Sequence, residues 1–218
     1  MLMGYFNNLK NAKKTTTNSA IFLLEAMKTV HHNSPAVDGY YKEASFEALG
    51  RTYIMNEFGQ LYVYKNNKFK PVATSFGTNG AYPDYNLGSE YNKRRYVIKA
   101  YVLSLCLLKQ DAFEQYMSDK NCVINHTVIT KSDYYLSQKP LSEVSFNPRY
   151  LEIITRRQNS LHGNVVRNYD LHNLYVSAYD IPNLLELFYN EERINKNNPN
   201  FRGIVKNYYK DLNMRIEF

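Results

Sequence analysis

The stretch from Cys122 to Gly163 constrains the possible fold more than any other part of this sequence of 218 residues. It opens with a short apolar run that delivers His126 at its end. A turn follows at Phe146-Asn147-Pro148, and Tyr150–Ile154 then has the β-branched and aromatic composition of a strand. The pattern therefore predicts two strands, with a histidine at the end of the first and a loop between them.

A helix is predicted directly after the second strand. Thr155 and Gln158 have the spacing of a capping box, in which each side chain bonds the backbone N–H of the other residue. Gly163 has the residue type that often ends a helix, so a short helix is expected. Asn159 and His162, three residues apart, would share one face of it. The expected order is strand, loop, strand and helix.

The rest of the chain predicts a mixture of helices and strands. Asn18–His32 has helical spacing, and its two final histidines would lie in the last turn, where positive charge suits the helix dipole. Thr52–Tyr91 alternates and contains turn residues, which predicts a hairpin or small meander. Arg95–Lys109 is apolar on most sides, as in a buried helix. Further helices are predicted at Asp111–Lys120, Leu184–Asn195 and Phe201–Asp211.

Charge and composition limit the class of protein. Lysine and arginine total 27 against 20 acidic residues, giving a net charge of +7 that favours an anionic partner, most often nucleic acid. No apolar stretch reaches the roughly 18 residues of a membrane span, and no signal peptide is predicted. Cys106 and Cys122 form no C-x-x-C pair, so neither a disulfide framework nor a thiolate zinc site is expected. A cytoplasmic location fits best.

Three motifs in the central stretch occur together and in order. They are Ile124-Asn125-His126, the run NPRYLEIIT over Asn147–Thr155, and the run RRQNSLH over Arg156–His162. They resemble the V-N-H, N-P-x-N-L-E-W-V-T and x-x-E-N-x-x-H motifs of the phage-type HNH endonucleases, a family that includes standalone and intron-encoded homing enzymes. With weaker upstream similarity from Thr52, the resemblance covers about half of the chain.

The resemblance implies a metal-dependent nuclease that hydrolyses phosphodiester bonds in double-stranded DNA. His126 would be the general base that activates water, and Asn147 would hydrogen-bond its ring and hold its orientation. One divalent metal, Mg²⁺ or Mn²⁺, would be bound by Asn125 and by Asn159, or by His162 in place of Asn159. Contacts to DNA phosphates would come from Lys93, Arg94, Arg95, Arg149, Arg156 and Arg157.

The resemblance also implies a fold class and an order of domains. The fold class is α+β, with a ββα-metal core that follows a small antiparallel β-sheet unit and is flanked by N- and C-terminal helices. The expected segments are an N-terminal helix and linker over 1–38, a strand-rich unit plus helix over 39–110, the HNH-like core over 111–168, and a C-terminal helical extension over 169–218.

Departures from the family pattern keep other functions open. Thr127-Val128 stands where an aspartate-glycine often follows the first histidine, Tyr150 replaces an asparagine, and Lys99 stands where the family often has a histidine. The expected metal shell also lacks a carboxylate. One alternative is therefore a catalytically degenerate HNH-fold protein that acts as a binding module, either on DNA or on a host protein that it inhibits or redirects. A weaker alternative is a transcription regulator that uses the C-terminal helices.

Overall fold

The computed structural model describes residues 18–27, 30–33, 36–37, 39–76, 82–129 and 145–190. Within these ranges the chain is a mixed α+β protein with antiparallel sheets, as expected. None of its helices in these ranges has the length and apolar character needed to cross a membrane.

A five-stranded antiparallel meander forms the first sheet, in which each strand pairs with the next along the chain. The predicted hairpin is confirmed, because Asn66 and Asn67 turn the chain with φ values of 55° and 58°. The first two strands of the sheet were not predicted. The strands are β1 (Val30–His32), β2 (Glu43–Ala48), β3 (Arg51–Asn56), β4 (Leu61–Lys65) and β5 (Lys68–Pro71).

The prediction of a single helix over Asn18–His32 is wrong. Helix α1 spans Asn18–Ala26, and the two histidines lie in β1, which pairs with β2. His32 stacks on Tyr41 with ring centroids 3.6 Å apart, and its Nε2 lies 2.9 Å from the carbonyl oxygen of Leu107. Contacts with distant residues, which local helical spacing does not reveal, therefore hold this segment in the sheet.

The second sheet has three strands and corrects another predicted helix. Arg95–Lys109 begins as strand β8 (Arg95–Lys99) and becomes helix α2 (Ala100–Leu108) without an intervening loop. The first five residues of this segment form a strand rather than a helix, because β8 pairs with β7 (Pro83–Gly88) and completes the sheet. The remaining strand of this sheet, β6, spans Thr74–Phe76, and helix α3, which follows α2, spans Gln110–Ser118.

The predicted strand–loop–strand–helix order is confirmed. Strand β9 (Cys122–His126) pairs antiparallel with β10 (Leu151–Thr155), and a 3₁₀ turn (Pro148–Tyr150) leads into β10. Helix α4 (Arg156–Asn168) begins at a complete capping box between Thr155 and Gln158. We refer to β9 and β10 as the ribbon.

The expectation that Gly163 ends this helix is wrong. Helix α4 continues to Asn168 because Val165 and Val166 extend its apolar face. These two residues lie in a small buried cluster that also contains Ile181 from helix α5 (Ile181–Asn190). Packing against this cluster favours further helical turns beyond the glycine.

Two buried clusters hold the described part of the chain together. The larger one joins α1, the sheets and α2 with Leu151 and Ile153 of the ribbon, and the smaller one lies between α4 and α5. Helix α5 confirms a helix in this region, although it begins before the predicted start at Leu184. The predicted helix at Phe201–Asp211 lies outside the described residues.

Candidate functional site

His126 is the last residue of β9 and lies inside the protein. Its ring stacks on Tyr82 at a centroid distance of 4.1 Å and meets the edge of Tyr101 at 5.0 Å. Nε2 donates a hydrogen bond of 2.9 Å to the carbonyl oxygen of Ser145, and only 6% of the residue is exposed. The imidazole is therefore both closely packed and hydrogen-bonded.

Burial sets the protonation state of this ring. It lowers the pKa of His126 to about 4, although the hydrogen bond to Ser145 acts in the opposite direction, and the nearby charge of His162 lowers it further. The ring is therefore neutral at pH 7, as a general base must be. However, a general base must also reach water beside a phosphate, and the ring has almost no exposed surface.

Asn147 caps a turn through its side chain. Its side-chain oxygen accepts a hydrogen bond of 3.1 Å from the backbone N–H of Arg149 and so caps the 3₁₀ turn. Among the described residues, the hydrogen bond of the His126 ring is to Ser145 instead. The reason is local, since a short amide at a turn readily bonds the backbone two residues further on.

Asn125 points away from His126, because successive residues of a strand face opposite sides of the ribbon. Its side-chain amide donates a hydrogen bond of 2.6 Å to Glu152, which lies directly opposite it on β10. Glu152 also accepts hydrogen bonds from Ser177 Oγ at 2.8 Å and from the backbone N–H of Ala178 at 2.7 Å. This carboxylate ties the ribbon to the segment between α4 and α5.

Glu152 is a central polar residue of the site that the sequence motifs do not single out. The motifs include it only as part of the L-E pair, and the expected metal shell contains no carboxylate. The pairing of the two strands could have identified Glu152, because an antiparallel ribbon with Leu151 opposite His126 places Glu152 opposite Asn125. The sequence does not show the register, however, since it depends on where the loop between the strands returns.

The two helix residues expected at the metal have different environments. His162 is fully buried, and its Nε2 donates a hydrogen bond of 2.7 Å to the carbonyl oxygen of Val176. Nδ1 of His162 is also buried and has no hydrogen-bond partner within the part of the chain that the structure describes. Burial lowers the pKa of this imidazole, with the hydrogen bond to Val176 and the charge of Glu152 opposing the shift. Asn159 is half-buried on the same helix.

Hydrogen bonds within the protein already engage part of the expected ligand set. The side-chain N–H of Asn125 donates to Glu152, and Glu152 already accepts three hydrogen bonds, so the atom of Asn125 that could ligate a metal is its Oδ1 oxygen. A hard cation such as Mg²⁺ needs several oxygen ligands with space around them. Within the described ranges, no three histidine, cysteine or acidic side chains are grouped so that they could hold a metal ion.

The basic residues expected to contact DNA lie in three different parts of the structure. Arg149 forms an ion pair of 2.7 Å with Glu57 and lies over the rings of Tyr40 and Phe58. In contrast, Arg156 and Arg157 are exposed at the N-terminus of α4. Arg149 is therefore engaged within the protein, while the pair on α4 reaches solvent.

The third basic group lies on the second sheet. Lys93, Arg94 and Arg95 are exposed in and beside the turn between β7 and β8. Nearby Lys99, where the family often has a histidine, forms an ion pair of 3.0 Å with Asp84. The residues at 93–95 therefore form an exposed basic turn, whereas Lys99 is paired with Asp84.

Comparison with known proteins assigns neither a family nor a function. No family model, no curated protein and no solved structure matches the chain. Any functional conclusion therefore has to be drawn from the geometry of the ribbon, α4 and the residues around them.

Proposed function

We propose that the ribbon and α4 form an HNH-type ββα core and that the protein binds double-stranded DNA without cleaving it. The order of elements supports this core, since an antiparallel ribbon leads directly into a capped helix. The sequence motifs that resemble the HNH family fall on these same elements. The proposal corresponds to the degenerate alternative that the departures from the family pattern left open.

The observation that carries the non-catalytic part is the enclosure of His126. The ring has Tyr82 on its face, Tyr101 at its edge and the carbonyl oxygen of Ser145 on Nε2. Asn147, its expected hydrogen-bond partner, caps a turn instead. A phosphodiester could reach this histidine only if these contacts were broken.

The DNA-binding part rests on charge and on the start of α4. A net charge of +7 favours association with a polyanion. Arg156 and Arg157 lie exposed in the first turn of α4, where the helix dipole also favours a phosphate. Phosphate contacts of this kind determine affinity and make it depend on salt.

A salt titration of DNA binding tests the proposal. Fluorescence anisotropy with a labelled duplex should give an affinity that falls as the salt concentration rises. The double variant Arg156→Gln/Arg157→Gln should bind more weakly, and the slope of log K against log salt should fall by about 0.9 for each phosphate that the variant no longer neutralises.

A charge-matched control separates a local contact from a general loss of positive charge. Lys65→Gln/Lys68→Gln removes the same two charges from the exposed β4–β5 turn and should have a smaller effect. Equal effects of the two double variants would contradict a binding site at α4. Absence of DNA binding by the wild type, with stable capture of one host protein, would instead support the host-protein version of the module.

An active endonuclease is the second candidate. It is favoured by the neutral state of His126 and by the presence of Asn125, Asn159 and His162 in the order typical of the family. This candidate keeps the expectation of one Mg²⁺ or Mn²⁺ ion and requires that the ring of Tyr82 move away from His126. Plasmid nicking by the wild type that His126→Ala abolishes would establish this activity over the first proposal.

A further inference from the structure

A cleft of about 340 Å³ opens on the first sheet, away from the residues assigned to the HNH-type core. It lies between α1, the β2–β3 turn and the β7–β8 turn, and we call it the turn cleft. Its volume falls within the range of about 300–1,000 Å³ typical of small-molecule sites. The residues that matter for its chemistry are Phe22, Glu47, Gly50, Arg51, Tyr91 and Tyr96.

Tyr91 forms an aromatic platform in this cleft. The ring lies on Gly50, where a Cβ atom would be only 3.0 Å from the Cζ atom of Tyr91. Gly50 also has φ of +81°, a conformation that other residues rarely adopt. Although this glycine supports the ring closely, 79% of Tyr91 remains exposed. An exposed aromatic ring held in this way is suited to stacking against a flat ligand.

A second aromatic pair lines the cleft. Phe22 of α1 stacks on Tyr96 of β8 with centroids 4.7 Å apart and an interplanar angle of 14°. Phe22 is 47% exposed, and the side-chain amide of Asn92 donates a hydrogen bond of 3.1 Å to the hydroxyl of Tyr96. The cleft therefore offers aromatic surfaces together with fixed polar groups.

The charges are arranged unevenly between the inside of the cleft and its rim. Inside, Arg51 forms an ion pair with Glu90, with Nε 3.3 Å from Oε1, although this buried N–H is not aligned for a hydrogen bond. Glu47 also lines the cleft, and its negative charge would disfavour an anion there. Immediately beyond Asn92 the same turn carries the three exposed cations at 93–95.

We propose that the turn cleft binds a nucleobase that carries a phosphate. The base would stack on Tyr91, and its amino group would face the carboxylate of Glu47. The phosphate would lie outside, against Lys93, Arg94 and Arg95. The base comes either from single-stranded DNA or from a free nucleotide, since both offer this chemistry. The proposal goes beyond duplex binding at α4 and does not depend on it.

Anisotropy with a labelled deoxyadenosine oligomer of about eight nucleotides tests the proposal. Tyr91→Ala should weaken binding on the order of tenfold, because loss of one base–aromatic stack typically costs that much or more. Tyr91→Phe should retain most of the affinity, since it keeps the ring. Tyr175→Ala is the matched control, because Tyr175 is 58% exposed at a distant position and should not contribute.

Two further arms identify the ligand and isolate the role of the base. An abasic oligomer of the same length should bind the wild type more weakly and should not respond to Tyr91→Ala. Competition by deoxyadenosine monophosphate would assign the cleft to free nucleotides, whereas competition by the oligomer alone would assign it to strands. Equal binding by the wild type and Tyr91→Ala would overturn the proposal, even where duplex binding at α4 persists.

Discussion

Removal of the Glu152 carboxylate should destabilise the protein more than removal of any exposed carboxylate. Three donors bond this side chain, at 2.6 Å from Asn125, 2.8 Å from Ser177 and 2.7 Å from the backbone of Ala178. A hydrogen bond to a charged group contributes about 1.5–3 kcal/mol, but bonds in one network do not add fully. Glu152→Ala leaves all three donors without this acceptor, so we expect a loss of about 3–5 kcal/mol.

Urea unfolding, followed by circular dichroism, measures this loss in the free energy of unfolding. Glu152→Gln keeps the shape and one acceptor oxygen, so its cost should be intermediate, about 1.5–3 kcal/mol. Glu57→Gln is the control, because the partly exposed pair of Glu57 with Arg149 should contribute less than about 1 kcal/mol. A loss for Glu152→Ala no larger than for Glu57→Gln would refute the view that Glu152 connects the ribbon to the segment after α4.

Three further predictions concern other parts of the fold. Gly59→Ala should cost about 2–5 kcal/mol in unfolding free energy, since φ is +80° and the added Cβ would lie 2.4 Å from a carbonyl oxygen. Gly39→Ala, with φ of +77° and no atom within 4 Å, should cost only about 1–2 kcal/mol, and equal losses would contradict the steric argument. Thr155→Ala removes the capping box and should cost about 1 kcal/mol, while Ser160→Ala on the same helix should cost less than half of that; thermal unfolding distinguishes them. For His126, whose pKa is lowered to about 4, the unfolded state binds more protons below pH 6.5, so stability present at neutral pH is lost as pH falls toward 4. The free energy of unfolding should fall by up to about 1.4 kcal/mol per pH unit because of this group. If the stability of a His126→Phe variant fell equally steeply between pH 7 and 5, this prediction would be contradicted.

The local signals in the sequence predicted the ribbon and α4 well. The capping box determines the start of the helix at Arg156, and the apolar run before His126 forms β9. Both features depend on neighbouring residues, so a single sequence contains the information. The hairpin turn at Asn66 and Asn67 was predictable for the same reason.

The errors occurred where distant contacts determine the structure. His32 belongs to a strand because it pairs with β2 and contacts Tyr41, and neither partner is apparent from helical spacing. Arg95–Lys99 resembles the start of a buried helix until β7 supplies a strand to pair with it. Propensity over a short window does not distinguish these cases, since tertiary pairing overrides it.

The candidate site was predicted as a set of residues but not as an arrangement. The sequence placed Asn125 and His126 at the end of one strand, and that position is correct. Strand alternation then directs the two side chains to opposite faces, so they do not meet at one point. The enclosure of His126 by Tyr82 and Tyr101 also depends on residues more than twenty positions away, which no local motif records.

A plasmid nicking assay with Mg²⁺ or Mn²⁺, run beside gel retardation of the same DNA, distinguishes DNA binding without cleavage from nuclease activity. We expect the wild type to retard supercoiled plasmid and to leave it uncut, with retardation that weakens as the salt concentration increases. Relaxed or linear product that forms with the wild type but not with His126→Ala would contradict this expectation, because it would require the buried imidazole, whose Nε2 is bonded to Ser145, to reach a phosphodiester.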